Sequence, residues 1–353
     1  MRIKTLIITS GSSQLITQLS VLKKQHSDLS NVYLLYVGLF SESLEVFFRQ
    51  ISNNNGITYI GQIHFDINPI LLSKKEFILY FITGKFTKLF KVVEKKFSLL
   101  RFYKKFDLLL IPVRVKVEVD NVLLCYLKPK TIVFVADGVI DKLPERNFTN
   151  WRYFYLRNTI TKFPLSSNIY SPFFLEEDIK RIGIYKEVDI NVILSDTRKI
   201  ELSVRFEKAY LQNRISYVII SQHYHLHEGV KFENDISYFK QIIKYALNNC
   251  GNSKVLFKPH PRDIKHKIEI FENINDDRLL VVSDEFKSLP IELFGEEFKD
   301  MNTIFLTGNS SGPLFFNKSN RIISIGSDKY LHKELNNRIK KFANNYKVEY
   351  LNL

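Results

Sequence analysis

Residues 5–37 carry the pattern that decides the fold: Thr5-Leu-Ile-Ile-Thr9, the turn Ser10-Gly-Ser-Ser13, apolar residues at helical spacing from Gln14 to Lys24, then Asn31-Val-Tyr-Leu-Leu-Tyr-Val37. A short branched apolar run closed by Ser and Gly reads as a buried strand. The helical spacing after it carries the chain back to a second strand parallel to the first. The alternation continues, with a helix predicted over Phe40–Gln50 and strands over Ile57–Ile60, Phe106–Ile111 and Thr131–Val135. A second series begins near Ser216. Its predicted strands are Tyr217–Ser221, Lys254–Lys258, Leu279–Val282, Thr303–Leu306 and Arg321–Ile325, with helices over Asp235–Asn248 and Pro290–Phe298. Strands that are apolar throughout, not alternating, belong to parallel sheets covered on both faces.

Between the two series, Leu143–Arg214 is less regular and contains Pro164 and Pro172. The expected fold class is therefore α/β, with two Rossmann-like domains in a GT-B architecture and the active site in the interdomain cleft. The expected division is an N-terminal domain over 1–212, a C-terminal domain over 213–330 and a basic helical tail over 331–353. A length of 353 residues suits two domains at roughly 100–200 residues each.

The chain has 51 Lys and Arg against 37 Asp and Glu, a formal charge of +14, and 14% aromatic residues. Such a balance suits an anionic partner: nucleic acid, an acidic membrane surface, or a phosphorylated or acidic small molecule. Cys125 and Cys250 show no C-x-x-C spacing and read as buried free thiols of a reducing compartment. The N-terminal apolar run is short for a signal peptide and no window approaches a membrane span, so the expected location is the cytoplasm.

In open α/β sheets ligands bind beyond the carboxyl ends of the strands, so the residues after each strand are the candidates. After Thr131–Val135 comes Ala136-Asp137-Gly138, which exposes a carboxylate where a general base could sit; a plain Asp-Gly turn is the bland alternative. After Val255–Lys258 comes Pro259-His260-Pro261-Arg262. The two prolines hold the His on a stiff extended backbone, and Lys258 and Arg262 beside it suit a phosphate. After Ile304–Leu306 comes Thr307-Gly-Asn-Ser310-Ser311-Gly-Pro313, whose hydroxyls and amides form an anion cradle or simply a helix cap. Glu292 sits in the first turn of a predicted helix, where it answers the helix dipole or accepts two ribose hydroxyls. After Tyr217–Ser221 comes Gln222-His223-Tyr-His225-Leu-His227-Glu228-Gly229. Three alternate histidines raise a zinc site, but no further ligand set accompanies them, and no metal is expected. No Gly-x-Gly-x-x-Gly, P-loop or Gly-x-Ser-x-Gly is present, which counts against NAD enzymes, P-loop NTPases and α/β-hydrolases.

In this order, Asp137-Gly138, His260-Pro261 and Ser310-Ser311, with Pro290-Ile-Glu292, the chain resembles bacterial sialyltransferases of the lipooligosaccharide sialyltransferase and capsular polysialyltransferase families. The resemblance covers most of the chain by architecture and is specific only in these short motifs. It implies an inverting, metal-independent transfer from CMP-sialic acid to a sugar hydroxyl of lipooligosaccharide, O-antigen or capsule, with no cofactor. The N-terminal domain would then face the acceptor and the C-terminal domain the nucleotide sugar. Asp137, on the acceptor-side turn with Gly138, would deprotonate the acceptor. His260 would protonate or hydrogen-bond the departing phosphate oxygen. Ser310 and Ser311 would hold that phosphate, Glu292 would bind the ribose and Gln222 would contact the nucleotide, with Lys258 and Pro261 also on the donor-binding side. Ala136 stands where the family motif often has a second carboxylate, which leaves Glu228 as the alternative base.

Residues 76–105 interleave Phe, Leu and Tyr with eight basic residues against Glu76 and Glu94. A basic amphipathic segment of this kind suits peripheral contact with an anionic membrane, at the inner face of the cytoplasmic membrane, or else forms a core helix with a solvated Lys face. Competing readings are a GT-B enzyme using CMP-Kdo or a UDP-sugar, an epimerase, and a basic nucleic-acid-binding protein. No nucleic-acid-binding module is recognised in the sequence, so nucleic acid is not an expected partner.

Overall fold

The computed structural model describes residues 3–25, 28–38, 41–64, 105–112, 127, 129–135, 165–171 and 184–353. The chain divides into two compact units, Met1–Phe40 with Ile51–Asp196, and Ser41–Gln50 with Thr197–Leu353.

The first unit holds a parallel sheet of β1 (Thr5–Thr9), β2 (Val32–Gly38), β3 (Thr58–His64), β4 (Leu108–Pro112), β5 (Thr131–Val135), β6 (Leu165–Ser171) and β7 (Ile184–Glu187), in the order β3-β2-β1-β4-β5-β6-β7. Helices α1 (Ser12–Gln25) and α2 (Glu42–Asn54) fill the β1–β2 and β2–β3 connections. Every residue of β1 is buried, as the unbroken apolar run requires. The turn into α1 is closed by Gln14, whose Oε1 accepts from the Ser10 amide at 2.7 Å. Helix α3 (Asn191–Thr197) ends near the division of the chain.

The second unit opens with α4 (Glu201–Phe206), which runs on into a π turn at Glu207–Leu211. Its sheet consists of β8 (Ile215–Ile220), β9 (Lys254–Lys258), β10 (Leu279–Val281), β11 (Ile304–Thr307), β12 (Ile322–Gly326) and β13 (Glu349–Asn352). All pairings are parallel, in the order β10-β9-β8-β11-β12-β13. The helices are α5 (Tyr224–His227), α6 (Phe232–Asn249), α7 (Lys265–Glu272), α8 (Gly295–Asp300) and α9 (Lys333–Tyr346). Each sheet is thus a Rossmann-like sheet whose strand order reverses beside its first strand, and two such units are the halves of the GT-B class.

Alternation along the strands of the second sheet sends neighbours to opposite faces. Tyr217, Ile219, Val255, Phe257 and Leu306 join Ile236, Phe239, Ile242 and Ala246 of α6 and Leu335 and Ile339 of α9 in one core. Phe305 turns the other way, stacking on Phe316 at 4.7 Å between ring centres and meeting Phe298 edge-on at 5.5 Å.

Three features differ from expectation. Residues 41–50 and 197–212, expected in the N-terminal domain, belong to the second unit. Residues 331–353 are not a separate helical tail: α9 buries Leu335, Ile339, Phe342 and Ala343, and β13 then pairs with β12 as the sheet's edge strand. The helix expected over Pro290–Phe298 is a 3-10 turn at Ile291–Phe294 followed by α8, because the backbone leaves helical values at Phe294. Cys250 is a buried free thiol, while Cys125 and residues 76–104 of the basic segment lie outside the described residues. Among the described residues no helix is long and apolar enough to cross a membrane.

Phe257 is fully buried in the second central strand, 4.5 Å from the ring of Phe271. Phe257→Ala is expected to cost about 3–5 kcal/mol, through lost transfer energy and the cavity left behind. Urea unfolding checks this as a lower midpoint at unchanged slope.

Candidate active site

Strands β9, β8 and β11 lie side by side and run parallel, so the turns that follow them emerge at one edge of the second sheet. The strand order reverses between β8 and β11, the position at which open α/β sheets bind ligands. Gln222, His223 and Glu228 follow β8; Lys258, His260 and Pro261 end or follow β9; Ser310 and Ser311 follow β11. The fold therefore brings the predicted C-terminal residues to one edge.

The β9 turn is held from several sides. The Lys258 ammonium is buried and donates to the carbonyls of Pro259, at 3.3 Å, and Lys287. Burial, reinforced by the Lys287 charge, brings its pKa down to about 7 against the opposing pull of Glu292 and Asp263. His260 Nδ1 accepts from the Arg262 amide at 3.1 Å. A neutral imidazole fixed in that way carries its proton on Nε2. Burial, with His223, Arg262, Lys258 and Lys267 nearby, holds the His260 pKa well below the usual histidine value, so the ring is neutral at neutral pH. The His223 ring lies against it, with centres 3.9 Å apart. His260 is thus arranged as a neutral hydrogen-bond donor.

Glu292 is buried in the 3-10 turn, and its Oε1 lies 3.4 Å from where a Cβ on Gly312 would stand. That spot is 3.8 Å from Ser310 Oγ, so the carboxylate and the β11 turn are neighbours. Ser310 N–H donates to Thr307 Oγ1 at 3.1 Å. Ser311 precedes the 3-10 turn Gly312–Phe316 without giving it a side-chain cap, so the capping explanation for its hydroxyl does not hold. The buried Tyr224 hydroxyl donates to Asn309 Oδ1 at 3.0 Å and ties the β8 turn to the β11 turn.

Two histidines of the β8 turn take different partners. His223 lies on His260, and His225 Nδ1 meets Asp235 Oδ2 at 2.6 Å; the His227 side chain lies outside the described residues. Among the described residues no group of three or more His, Cys, Asp or Glu could hold a metal ion. Glu228 forms a two-pronged ion pair with Arg338 of α9, and its carbonyl meets His332 Nε2 at 2.7 Å. Asp137 and Gly138 follow β5 but lie outside the described residues.

Sequence reading missed the charges beneath the β9 turn. Asp263, Lys267 and Asp235 are each at most 1% exposed, and the Lys267 ammonium donates to both carboxylates. The available signal was helical phase: Lys267 falls on the same side of α7 as Ile268 and Phe271, and Asp235 beside Ile236 and Phe239 in α6.

A methyl group on Gly308 would sit 1.8 Å from the Tyr224 hydroxyl oxygen, which is buried and hydrogen-bonded and cannot swing aside. Gly308→Ala is expected to destabilise the protein by about 1–3 kcal/mol, the usual cost of overpacking, as read by urea unfolding.

Comparison with known proteins bears on this site. No curated protein matches the sequence. A family model described as alpha-2,8-polysialyltransferase (POLYST) matches residues 121–295. The match takes in Asp137, His260 and Glu292 and ends before Ser310. Solved structures with similar folds include a UDP-GlcNAc 2-epimerase from Methanocaldococcus jannaschii, at 14% identity over 96% of this chain and 91% of that one, TM-score 0.43. The calicheamicin glycosyltransferase CalG4 follows at 9% identity over 100% and 86%, TM-score 0.45. UGT2 of Phytolacca americana follows at 12% identity over 99% and 85%, TM-score 0.46. The chain thus carries the two Rossmann-like parallel sheets of the GT-B class and is similar, over residues 121–295, to the alpha-2,8-polysialyltransferase family.

Proposed function

We propose that the chain is an inverting, metal-independent sialyltransferase that moves sialic acid from CMP-sialic acid to a sugar hydroxyl of a bacterial surface glycan. The coarser assignment, a glycosyltransferase with a nucleotide-sugar donor and a glycan acceptor, is what the family similarity supports. The observation that carries the finer reading is the edge of the second sheet. There a neutral His260 with its proton on Nε2 and a buried Lys258 at the end of β9 lie with the Ser310–Ser311 turn that follows β11, beside Glu292, on either side of β8.

The chemistry asks little more of the protein. As the glycosidic C–O bond breaks, the electron pair goes to the CMP phosphate oxygen, and fixed donors aimed there lower the barrier. His260 gives that oxygen a hydrogen bond from Nε2; Lys258, Ser310 and Ser311 receive the phosphate beside Pro261. Glu292 accepts from the two ribose hydroxyls, and Gln222 contacts the base. The sialyl carbon, left electron-poor, bonds to the acceptor oxygen as a carboxylate takes its proton. Asp137, beside Gly138, is the base we favour, because Glu228 is engaged by Arg338. The basic segment 76–105 serves an anionic membrane at the cytoplasmic face; co-sedimentation with phosphatidylserine vesicles tests it, and no pelleting rejects it.

The deciding assay is CMP release from CMP-sialic acid, run beside CMP-Kdo and UDP-sugars. Release from CMP-sialic acid alone supports the donor; preferred turnover of another donor, or epimerisation of a UDP-sugar, overturns it. His260→Ala is expected to lower turnover about 10²-fold or more, and wild-type turnover removes His260 from the mechanism. Asp137→Ala is expected to abolish acceptor transfer while Glu228→Ala retains most of it; the reverse result assigns the base to Glu228.

A further inference from the structure

Beneath the His260 turn lies a group of buried charges that the transfer chemistry does not use. Lys267 of α7 spends all three of its ammonium hydrogens on protein: Gln222 O at 2.7 Å, Asp263 Oδ1 at 3.0 Å and Asp235 Oδ2 at 3.1 Å. The ring of Phe239 lies 4.7 Å away on another side. Asp263 uses both carboxylate oxygens. Oδ1 takes the Lys267 ammonium, and Oδ2 takes the Ser221 hydroxyl at 2.7 Å and the His260 amide at 2.8 Å. The Asp263 carbonyl accepts from Lys287 at 3.2 Å.

The partners of this carboxylate are what matters. Ser221 follows β8, directly before Gln222 and His223; His260 follows β9. One carboxylate therefore joins the two turns whose rings touch, and Lys267 holds both the carboxylate and the Gln222 carbonyl. We infer that Asp263, oriented by Lys267, is a positioning residue that fixes the His223–His260 ring pair and aims His260 Nε2. A carboxylate in this place orients the turn through its backbone amide and never meets the ring itself.

Surface needs do not explain the arrangement. Three charged groups are each removed from water at a cost of several kcal/mol per ion, which pairing offsets; Lys267 and Asp263 are fully bonded, while Asp235 bonds through Oδ2 and its buried Oδ1 takes no hydrogen bond. Here the pairing is directed at the two turns and not merely between the charges. The charged and titratable groups facing His260 are His223 on the β8 turn, Lys258, Arg262 and Asp263 on its own turn, and Lys267 on α7.

The inference uses the sialyltransferase reading for its catalytic readout alone, so the test has a readout without substrate. Imidazole nitrogen NMR of the ligand-free protein reports the tautomer and titration of His260 directly. In the wild type His260 is expected to stay neutral with Nε2 protonated down into the acid range. In Asp263→Asn the ring is expected to lose that tautomer preference and to titrate about one pKa unit or more closer to an ordinary histidine. CMP release is expected to fall about ten-fold in kcat, with a smaller change in donor KM. Ser221→Ala removes the hydroxyl's bond to Asp263 and its longer contact with the Gln222 carbonyl at 3.4 Å and keeps every charge, so it reads the same effect in smaller size if Asp263→Asn does not fold. The exposed Asp277→Asn serves as the comparison that leaves His260 unchanged. A folded Asp263→Asn, or Ser221→Ala, that melts earlier yet keeps the wild-type His260 tautomer and titration overturns the inference and leaves a purely structural ion pair. Shifted His260 spectra without any turnover of CMP-sialic acid by the wild type instead overturn the donor reading and keep the positioning role.

Discussion

Every described pairing in both sheets is parallel, and that one constraint arranges the rest. A parallel strand must be followed by a crossover, so each sheet sends all its carboxyl ends out at one edge. In the second unit the edge gathers turns from β8, β9 and β11, which lie some 35–50 residues apart in sequence, about the length of one or two βαβ units. Sequence-distant groups thereby become neighbours without a loop having to reach across the molecule. Helices α6 and α9 cover one face and a cluster of phenylalanines the other, so the edge is the place left for polar chemistry.

That edge is built from groups made expensive by their surroundings. Lys258, Asp263, Lys267 and Glu292 are all at most 5% exposed. Buried charge is tolerated when hydrogen bonds use up its donors and acceptors, and a half-satisfied network is worse than an apolar core. Lys267 and Asp263 meet the condition completely, and the prolines around His260 remove the remaining freedom of the turn. The Tyr224 hydroxyl performs a similar office for the β11 turn, which needs Gly308 because a side chain there would occupy the same space.

The parallel strands were legible because burial on both faces demands unbroken apolar runs, as in Thr5–Thr9 and Ile215–Ile220. The strand-end motifs were legible for a related reason: Pro, His, Gly and Ser interrupt those runs abruptly. Strand β13 was not, because Glu349–Asn352 is a short, partly exposed edge carrying only Tyr350 and Leu351 inward-facing enough to pack, and it follows a strongly amphipathic helix. The ionic group was missed because Asp263 and Lys267, four residues apart, look like an ordinary exposed helical pair. Its helical phase beside Ile268 and Phe271 is the one sign in the sequence that Lys267 faces inward, where it pairs with Asp235 of α6.

The depressed Lys258 has a consequence for thermodynamics. With a pKa near 7, its ammonium is only partly protonated in neutral solution. An anion that settles beside it favours the charged form and so takes up a proton from the buffer as it binds. The heat of such binding then depends on the ionisation heat of the buffer, and the affinity weakens as the solution turns alkaline. A lysine hidden at the end of a strand in this way couples anion capture to proton capture.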